Sequence, residues 1–448
     1  MSAEPLIVSV SGLRGVVGAT LTDEVAARYA AAFVAGLPPG PIVIGRDGRA
    51  SGGRLAAAIT ARLTAAGRDV IDCGVAATPS IGVAVRHRLA AGGIQISASH
   101  NPARYNGLKL FAAAGRVLPA AAGREVLARF HADPPMIVAD RPGVVVAHDA
   151  VPEHLRLVLA TVDVAAIRRR RPAVWLDCGH GAGSRGALPL LEALGCEVVV
   201  TGEVPDGAFE HEPEPTAANL AALLPRIPAS GSDVGFFQDP DADRLAIASA
   251  SGRYVGEEAT LALAVEGVLA RRRGPVVVNC STSRMTARIA ARHGVACHVA
   301  AVGEANVVDA MLAVDAVLGG EGNGGVIDPR VVLVRDSLVA MALVLERLAT
   351  GPEGTTIDTL AEGLPPGSMK KTTIAVGGGA DVAAAGARIA AAFPHAAASR
   401  LDGVRLDWDG GWLLVRASNT EPIVRLVCEA DTDEAVDAAL ARAVQAVG

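Results

Sequence analysis

Three times before residue 330 the chain repeats one rhythm: a short apolar run closed by polar residues, an Ala-rich helical stretch, then another apolar run. The first round reads PIVIG at 41–45, SGGRLAAAITARLTAAG, DVIDCG, an Ala-rich helix over 79–91, and GGIQISAS. The second follows one helix, PEHLRLVLATVDVAAIRR, with AVWLDCG, CEVVVTG and VGFFQDP. The third runs GPVVVNCS, the helix MTARIAARHG, CHVAAVG and AVLGGEGNGG. Short β-branched runs bounded by Gly, Pro and Asp read as strands, and strands alternating with helices form mostly parallel sheets covered on both faces. Such sheets bind ligands at their strand ends, so the polar residues closing each run are where chemistry is expected.

The tail breaks the rhythm. After LPPGSMKKTT come a helix near 381–393, the strands of VRLDWDGGWLLVRAS, a strand in TEPIVRLVCEA and an acidic final helix. The expected fold is α/β in four domains. Three similar mixed-sheet α/β modules would cover 1–148, 149–252 and 253–366, with a smaller α+β domain over 367–448.

Charge and composition exclude several roles. The formal charge of -6 and the absence of a basic block argue against a nucleic-acid backbone as partner. RRRR at 168–171 and RRR at 271–273 each precede a proline and a strand, as solvated helix ends do. No stretch reads as a membrane span or a secretory signal. The six cysteines are scattered without a CxxC pair, so buried thiols in a reducing cytoplasm are expected.

VGFFQDPDADRLAIA places Asp239, Asp241 and Asp243 at alternate positions between two apolar strands. Three crowded carboxylates repel unless a cation compensates, and oxygen ligands select a hard ion such as Mg²⁺. A calcium loop counted from Asp239 would need Gly at its sixth place and Glu at its twelfth, where Arg244 and Ala250 stand. Arg244, directly behind the acids, suits a phosphate shared with the metal. The bland competitor is a solvated acidic turn.

GGIQISASHNPARYNGLKLF puts Ser99 at a strand exit, with His100 and Asn101 beside it and Lys109 at the start of the next apolar run. No GxSxG elbow activates the serine. A phosphoryl-carrying hydroxyl fits better, since it needs a divalent cation and basic neighbours. The alternative is a pair of turn-capping residues. His87 and His154, in helical surroundings, read as ordinary surface or packing residues.

SGLRGVVG adds Ser11 and Arg14 in a Gly-flanked turn, and GRDGRASG adds Arg46, Asp47 and Arg49. The second set serves equally well as a loop-stiffening ion-pair network or as direct catalytic groups. Glu321 and Asn323 in GGEGNGG suit neutral hydroxyls rather than phosphate. RASNTEPIVR supplies Arg416, Ser418, Asn419, Thr420 and Arg425, the components of a phosphate nest or of a capped hairpin turn.

Taken in order, SGLRG, GRDGR, SASHNP with NGLK, DPDADR, GEGNGG and RASNTEPIVR resemble the α-D-phosphohexomutase family along the whole chain. The resemblance implies four domains around a central cleft. It makes Ser99 a phosphoserine and, with Asp239, Asp241 and Asp243, a ligand of one Mg²⁺. Arg14, His100 and Lys109 would serve the transfer. Arg244, Glu321, Asn323, Arg416, Ser418, Asn419, Thr420 and Arg425 would bind a hexose phosphate. A hexose 1,6-bisphosphate would be intermediate and activator in a cytoplasmic monomer or homodimer, with no nucleic-acid or membrane partner. The sugar loop lacks the histidine of the frequent GExSGH form, Pro240 stands for a frequent glycine, and Gly48 stands where threonine is common. The Asn323 form resembles archaeal-type phosphoglucosamine mutases, so glucosamine phosphates are the preferred substrates and glucose or mannose phosphates the alternative. VGEAN lacks a basic residue found in some relatives, and Glu304 receives no catalytic role. A sugar phosphatase would have little use for the second phosphate clamp, and a mere binding protein would never label Ser99.

Overall fold

The computed structural model describes residues 4–133, 137–375, 382–417 and 423–447, which form four sheets. The first three share one strand order. In the first, Val70–Val75, Ile42–Arg46 and Gly92–Ile96 run parallel, and Tyr105–Ala112 pairs antiparallel with the last of them. The second repeats this with Glu197–Thr201, Ala173–Asp177, Val234–Gln238 and antiparallel Leu245–Ser249. The third does so with Cys297–Ala300, Val276–Asn279, Leu318–Glu321 and antiparallel Gly325–Ile327. The expected repetition is therefore present in the topology. In each module the link from the third strand to its antiparallel partner carries a motif: the Ser99 segment, the three aspartates, or GEGNGG.

The first sheet is larger than the sequence rhythm indicates. Ile7–Ser9 and Gly12–Val16 extend one edge, and Val145–Ala147 extends the other. Arg14 thus lies on a strand opposite Gly107 rather than in a turn. The stretch read as one helix after residue 151 is two, Val151–Leu159 and Val164–Arg170. The Asp163 side chain caps the second by accepting from the Ala166 N–H, which ends one helix and begins another. The Ala-rich helix is shorter than expected, Thr78–His87, because Leu89 turns left-handed at φ 50°.

The fourth sheet is antiparallel throughout: Ser368–Ala375, Ile423–Ala430, Gly411–Ala417, Val404–Trp408 and Ala397–Ser399. It has its own core around Leu413, Leu426 and Val436. The other three modules share one continuous core, in which Ile81 and Phe111, Leu176 and Phe236, and Leu261 and Val339 belong to a single cluster. Of the two readings open to His154, surface or packing, the structure shows packing: it is wholly buried. Its ring joins Ser80 of the first module at 2.9 Å and Asp336 of the third at 2.6 Å. Glu429 fastens the fourth domain to the third, accepting from Ser283 Oγ, the Arg284 N–H and Trp412 Nε1. Among the described residues no helix is long and apolar enough to cross a membrane.

Candidate active site

Ser99 sits in the link between Gly92–Ile96 and Tyr105–Ala112, buried, with φ 49°. A left-handed serine is held against its own preference, and the surroundings show what holds it. Ser97 Oγ accepts the Ser99 N–H at 2.8 Å and donates to Asp47 at 2.7 Å. Asp47 and Arg49 form a fully buried pair at 3.0 Å. Arg49 then donates to the carbonyls of Ser99 (2.7 Å), Asn101 (2.5 Å), Pro102 (2.8 Å) and Tyr105 (3.0 Å). Of the two roles open to GRDGR, the geometry is that of the stiffening network, and it stiffens the Ser99 segment itself.

From this frame Ser99 Oγ donates to Asp239 Oδ2 at 2.7 Å, while His100 Nδ1 lies at 3.4 Å. The three aspartates are buried, and one oxygen from each lies within 4.8 Å of the others. Each carboxylate divides its work. Asp239 Oδ1 accepts the N–H groups of Asp243 and Arg244 at 3.1 Å, which folds the loop around it. Asp241 Oδ2 accepts from Lys109 at 2.5 Å and from Thr78 Oγ1. Asp243 Oδ2 accepts from Lys109 and Arg335, both at 2.7 Å. Asp241 Oδ1 and Asp243 Oδ1 are buried with no hydrogen-bond partner among the described residues. A buried anionic oxygen without a donor is costly, so the donor set fits a hard divalent cation held by Asp239, Asp241, Asp243 and the Ser99 oxygen.

The charges divide accordingly. Burial, together with Asp243 and Asp241, raises the Asp239 carboxyl well above the carboxylate range. Burial also opposes ionisation of Asp243, yet Arg335, Lys109 and Arg244 hold it far below that range. Burial works against the Lys109 ammonium, but Asp241 and Asp243 raise it above its ordinary value. Burial, with Arg244 and Arg14 nearby, pushes His100 well down and leaves a neutral imidazole. Arg14 faces the same charges: burial lowers its guanidinium, as do Arg244 and Arg49, while Asp241 opposes them. Arg244 is loosely held, 3.7 Å from Glu214 and 3.8 Å from Asp243.

Glu321 lies at the end of Leu318–Glu321 and is buried. Its Oε1 accepts from Asn279 at 2.7 Å and the Gly303 N–H at 3.0 Å, and its Oε2 accepts from Arg335 at 2.6 Å. Asn323 Oδ1 accepts the Gly325 N–H at 3.3 Å and turns the loop. Gly324, at φ 80°, lets the loop back onto the metal-loop strand, since a Cβ there would lie 2.2 Å from the Leu245 carbonyl. Glu304 supports Arg335, accepting its N–H at 2.6 Å, and burial lifts the Glu304 carboxyl to about 7.

Opposite this acidic wall stands the fourth sheet. Arg416 and Arg425 are directly paired on adjacent strands, a like-charge contact that favours an anion between them. Arg416 is braced by Asp402 at 3.0 Å. Both line a cleft of about 610 Å³ together with Glu321, Asn323, Asn279 and Glu258. Ser418, Asn419 and Thr420 lie outside the described residues. Sequence reading missed Thr78, Asn279 and Arg335. Nothing local in VVLVRDS reveals that the arginine turns inward, because its partners lie on two other loops.

Comparison with known proteins agrees along the chain. Descriptions of the phosphoglucomutase/phosphomannomutase family match residues 6–135 (alpha/beta/alpha domain I), 152–252 (domain II), 257–366 (domain III) and 376–446 (C-terminal domain). The chain is 36% identical to a "Phosphoglucomutase/phosphomannomutase" of Thermococcus kodakarensis, covering 94% of both chains. It is 32% identical to a "Probable phosphoglucosamine mutase" of Methanopyrus kandleri, over 95% of this chain and 94% of that one. A solved phosphoglucomutase/phosphomannomutase family protein from Burkholderia thailandensis superposes with a TM-score of 0.85 at 27% identity, over 98% and 97% of the two chains. Four sheets, each matched by its own domain description, and relatives aligned nearly end to end place the chain in the phosphoglucomutase/phosphomannomutase family of α-D-phosphohexomutases.

Proposed function

We propose that this phosphohexomutase interconverts glucosamine 6-phosphate and glucosamine 1-phosphate through a phosphorylated Ser99. The observation that carries the phosphoryl chemistry is the 2.7 Å contact of Ser99 Oγ with Asp239, inside a three-carboxylate cluster with two orphaned oxygens. A sugar hydroxyl attacks the phosphorus on Ser99; the new O–P bond forms as the Ser99 O–P bond breaks, the hydroxyl proton ends on the departing Ser99 oxygen, and a 1,6-bisphosphate results. The sugar turns end for end, and its other phosphoryl group returns to Ser99. Asp239, Asp241 and Asp243 would hold a divalent cation, which when bound would neutralise charge on the transferred group. Arg49 fixes the backbone that carries Ser99, while Arg14, His100, Lys109 and Arg244 line the transfer site. Arg416 and Arg425, with Ser418, Asn419 and Thr420, hold the phosphate that is not reacting, and Glu321 and Asn323 receive the hydroxyls.

The sugar rests on the Asn323 form of the loop, which resembles phosphoglucosamine mutases, and on relatives so named. A second reading, action on glucose or mannose phosphates, is favoured by the 36% identical relative named for those activities. Initial rates on glucosamine, glucose and mannose phosphates, with a 1,6-bisphosphate and Mg²⁺ present, decide between them. Intact mass before and after bisphosphate incubation tests Ser99; an unlabelled Ser99 during full-rate turnover overturns the mechanism.

A further inference from the structure

Lys370 and Lys371 are neighbours on the strand Ser368–Ala375 and therefore point to opposite faces of the fourth sheet. Lys370 turns toward the helix Asp433–Gln445 and donates to Asp437 at 2.7 Å. Lys371 lies on the other face and lines the cleft. The register fixes its place there. Thr373 pairs with Arg425 and Arg425 with Arg416; one row away, Lys371 pairs with Val427 and Val427 with Leu414. Lys371 is thus the diagonal neighbour of Arg425, a backbone spacing of about 7–8 Å that a long side chain spans.

Resting on the reading of this cleft as a hexose-phosphate site, we propose that Lys371 is a third cation for the non-reacting phosphate, set beside Arg416 and Arg425. Two guanidiniums in register already favour an anion, and a third positive charge on the same face raises the cost of leaving the cleft without one. The rest of its own row is Val427 and Leu414, which make no polar claim on the ammonium. The Arg416 fork is partly engaged by Asp402, whereas a lysine is a compact point charge on a flexible stem and can follow the phosphate as the sugar reverses. Glu258 lines the same cleft, and burial raises both it and Glu257 while Lys371 partly offsets that rise. Burial lifts the Glu258 carboxyl to about 8, so at neutral pH it competes only weakly with a phosphate dianion. Lys371 is exposed and takes no part in a core, so its replacement leaves the fold intact.

The test is calorimetric titration of glucosamine 6-phosphate and glucose 6-phosphate into wild type, Lys371→Met, Lys371→Arg and Lys370→Met, with kcat and KM measured beside it. Lys371→Met is expected to weaken binding about tenfold, the loss of one charge-assisted hydrogen bond. KM should rise by a similar factor with kcat nearly unchanged, Lys371→Arg should recover most of the affinity, and Lys370→Met should match wild type. Wild-type affinity in Lys371→Met, an equal loss in Lys370→Met, or a loss that Lys371→Arg does not recover overturns the role of Lys371. Wild type that binds neither sugar phosphate overturns the underlying reading instead.

Discussion

One guanidinium joins two loops: Arg335 donates to Glu321 at 2.6 Å and to Asp243 at 2.7 Å. Glu321 and one carboxylate of the aspartate cluster are thereby held at a fixed separation by a planar fork, while the Arg335 backbone N–H donates to Glu304 at 2.6 Å. If Glu321 receives the sugar, as proposed above, this arginine would place that sugar relative to the aspartate cluster and Ser99.

Replacing Arg335 with Met leaves two buried carboxylates without their shared partner. The expected loss is about 3–5 kcal/mol of stability, read as a lower urea midpoint. Arg335→Lys should recover little, since a single ammonium cannot make two divergent bonds.

Arg49→Lys keeps a charge near Asp47 but cannot reach four carbonyls. The Ser99 segment should drift, and kcat should fall about 10²-fold, the usual cost of a displacement near 1 Å. KM for the hexose phosphate should change little, because the binding walls are untouched.

Divalent metal should stabilise the fold as well as support activity. With Mg²⁺ at about a hundredfold over its dissociation constant, unfolding should become about 2.7 kcal/mol harder. Chelation should reverse the gain. Asp241→Asn should abolish most of the Mg²⁺-dependent shift in Tm, since it neutralises one of the two orphaned carboxylates.

Burial raises Glu258 to about 8 from its ordinary 4.5. The folded state therefore binds a proton that the unfolded chain releases, and stability from this group is full below about pH 4.5 and lost as pH rises through about 8. Glu258→Gln should flatten that decline. Urea midpoints at acid and alkaline pH, compared between the two proteins, measure it.

Much of the architecture could be read from local pattern. Strand runs such as VVVN and AVWLD, and the Asp239–Asp241–Asp243 alternation, carry their signal within a few residues. Other features depended on distant partners. The short strand bearing Arg14 has no clear alternation in its sequence and is defined by pairing to Ile7–Ser9 on one side and Tyr105–Ala112 on the other. His154 sits on a helix that reads as ordinary until Ser80 and Asp336 arrive from other modules. Arg335 and Lys371 became meaningful only once separate sheets faced one another. The helix break at Asp163 was legible in principle, since an aspartate before VAAI is a capping signal.

The unbroken apolar interior of the first three modules has a cost for anyone who would divide the chain. Although the repeats share a strand order, they are not independent pieces: the cluster that holds Val174, Leu176 and Leu190 of the middle module also holds Ile81 of the first and Val339 of the third, so a cut between them would open that interior to water. Damage to any one of them must be felt by all three, and so by the oxygen at position 99.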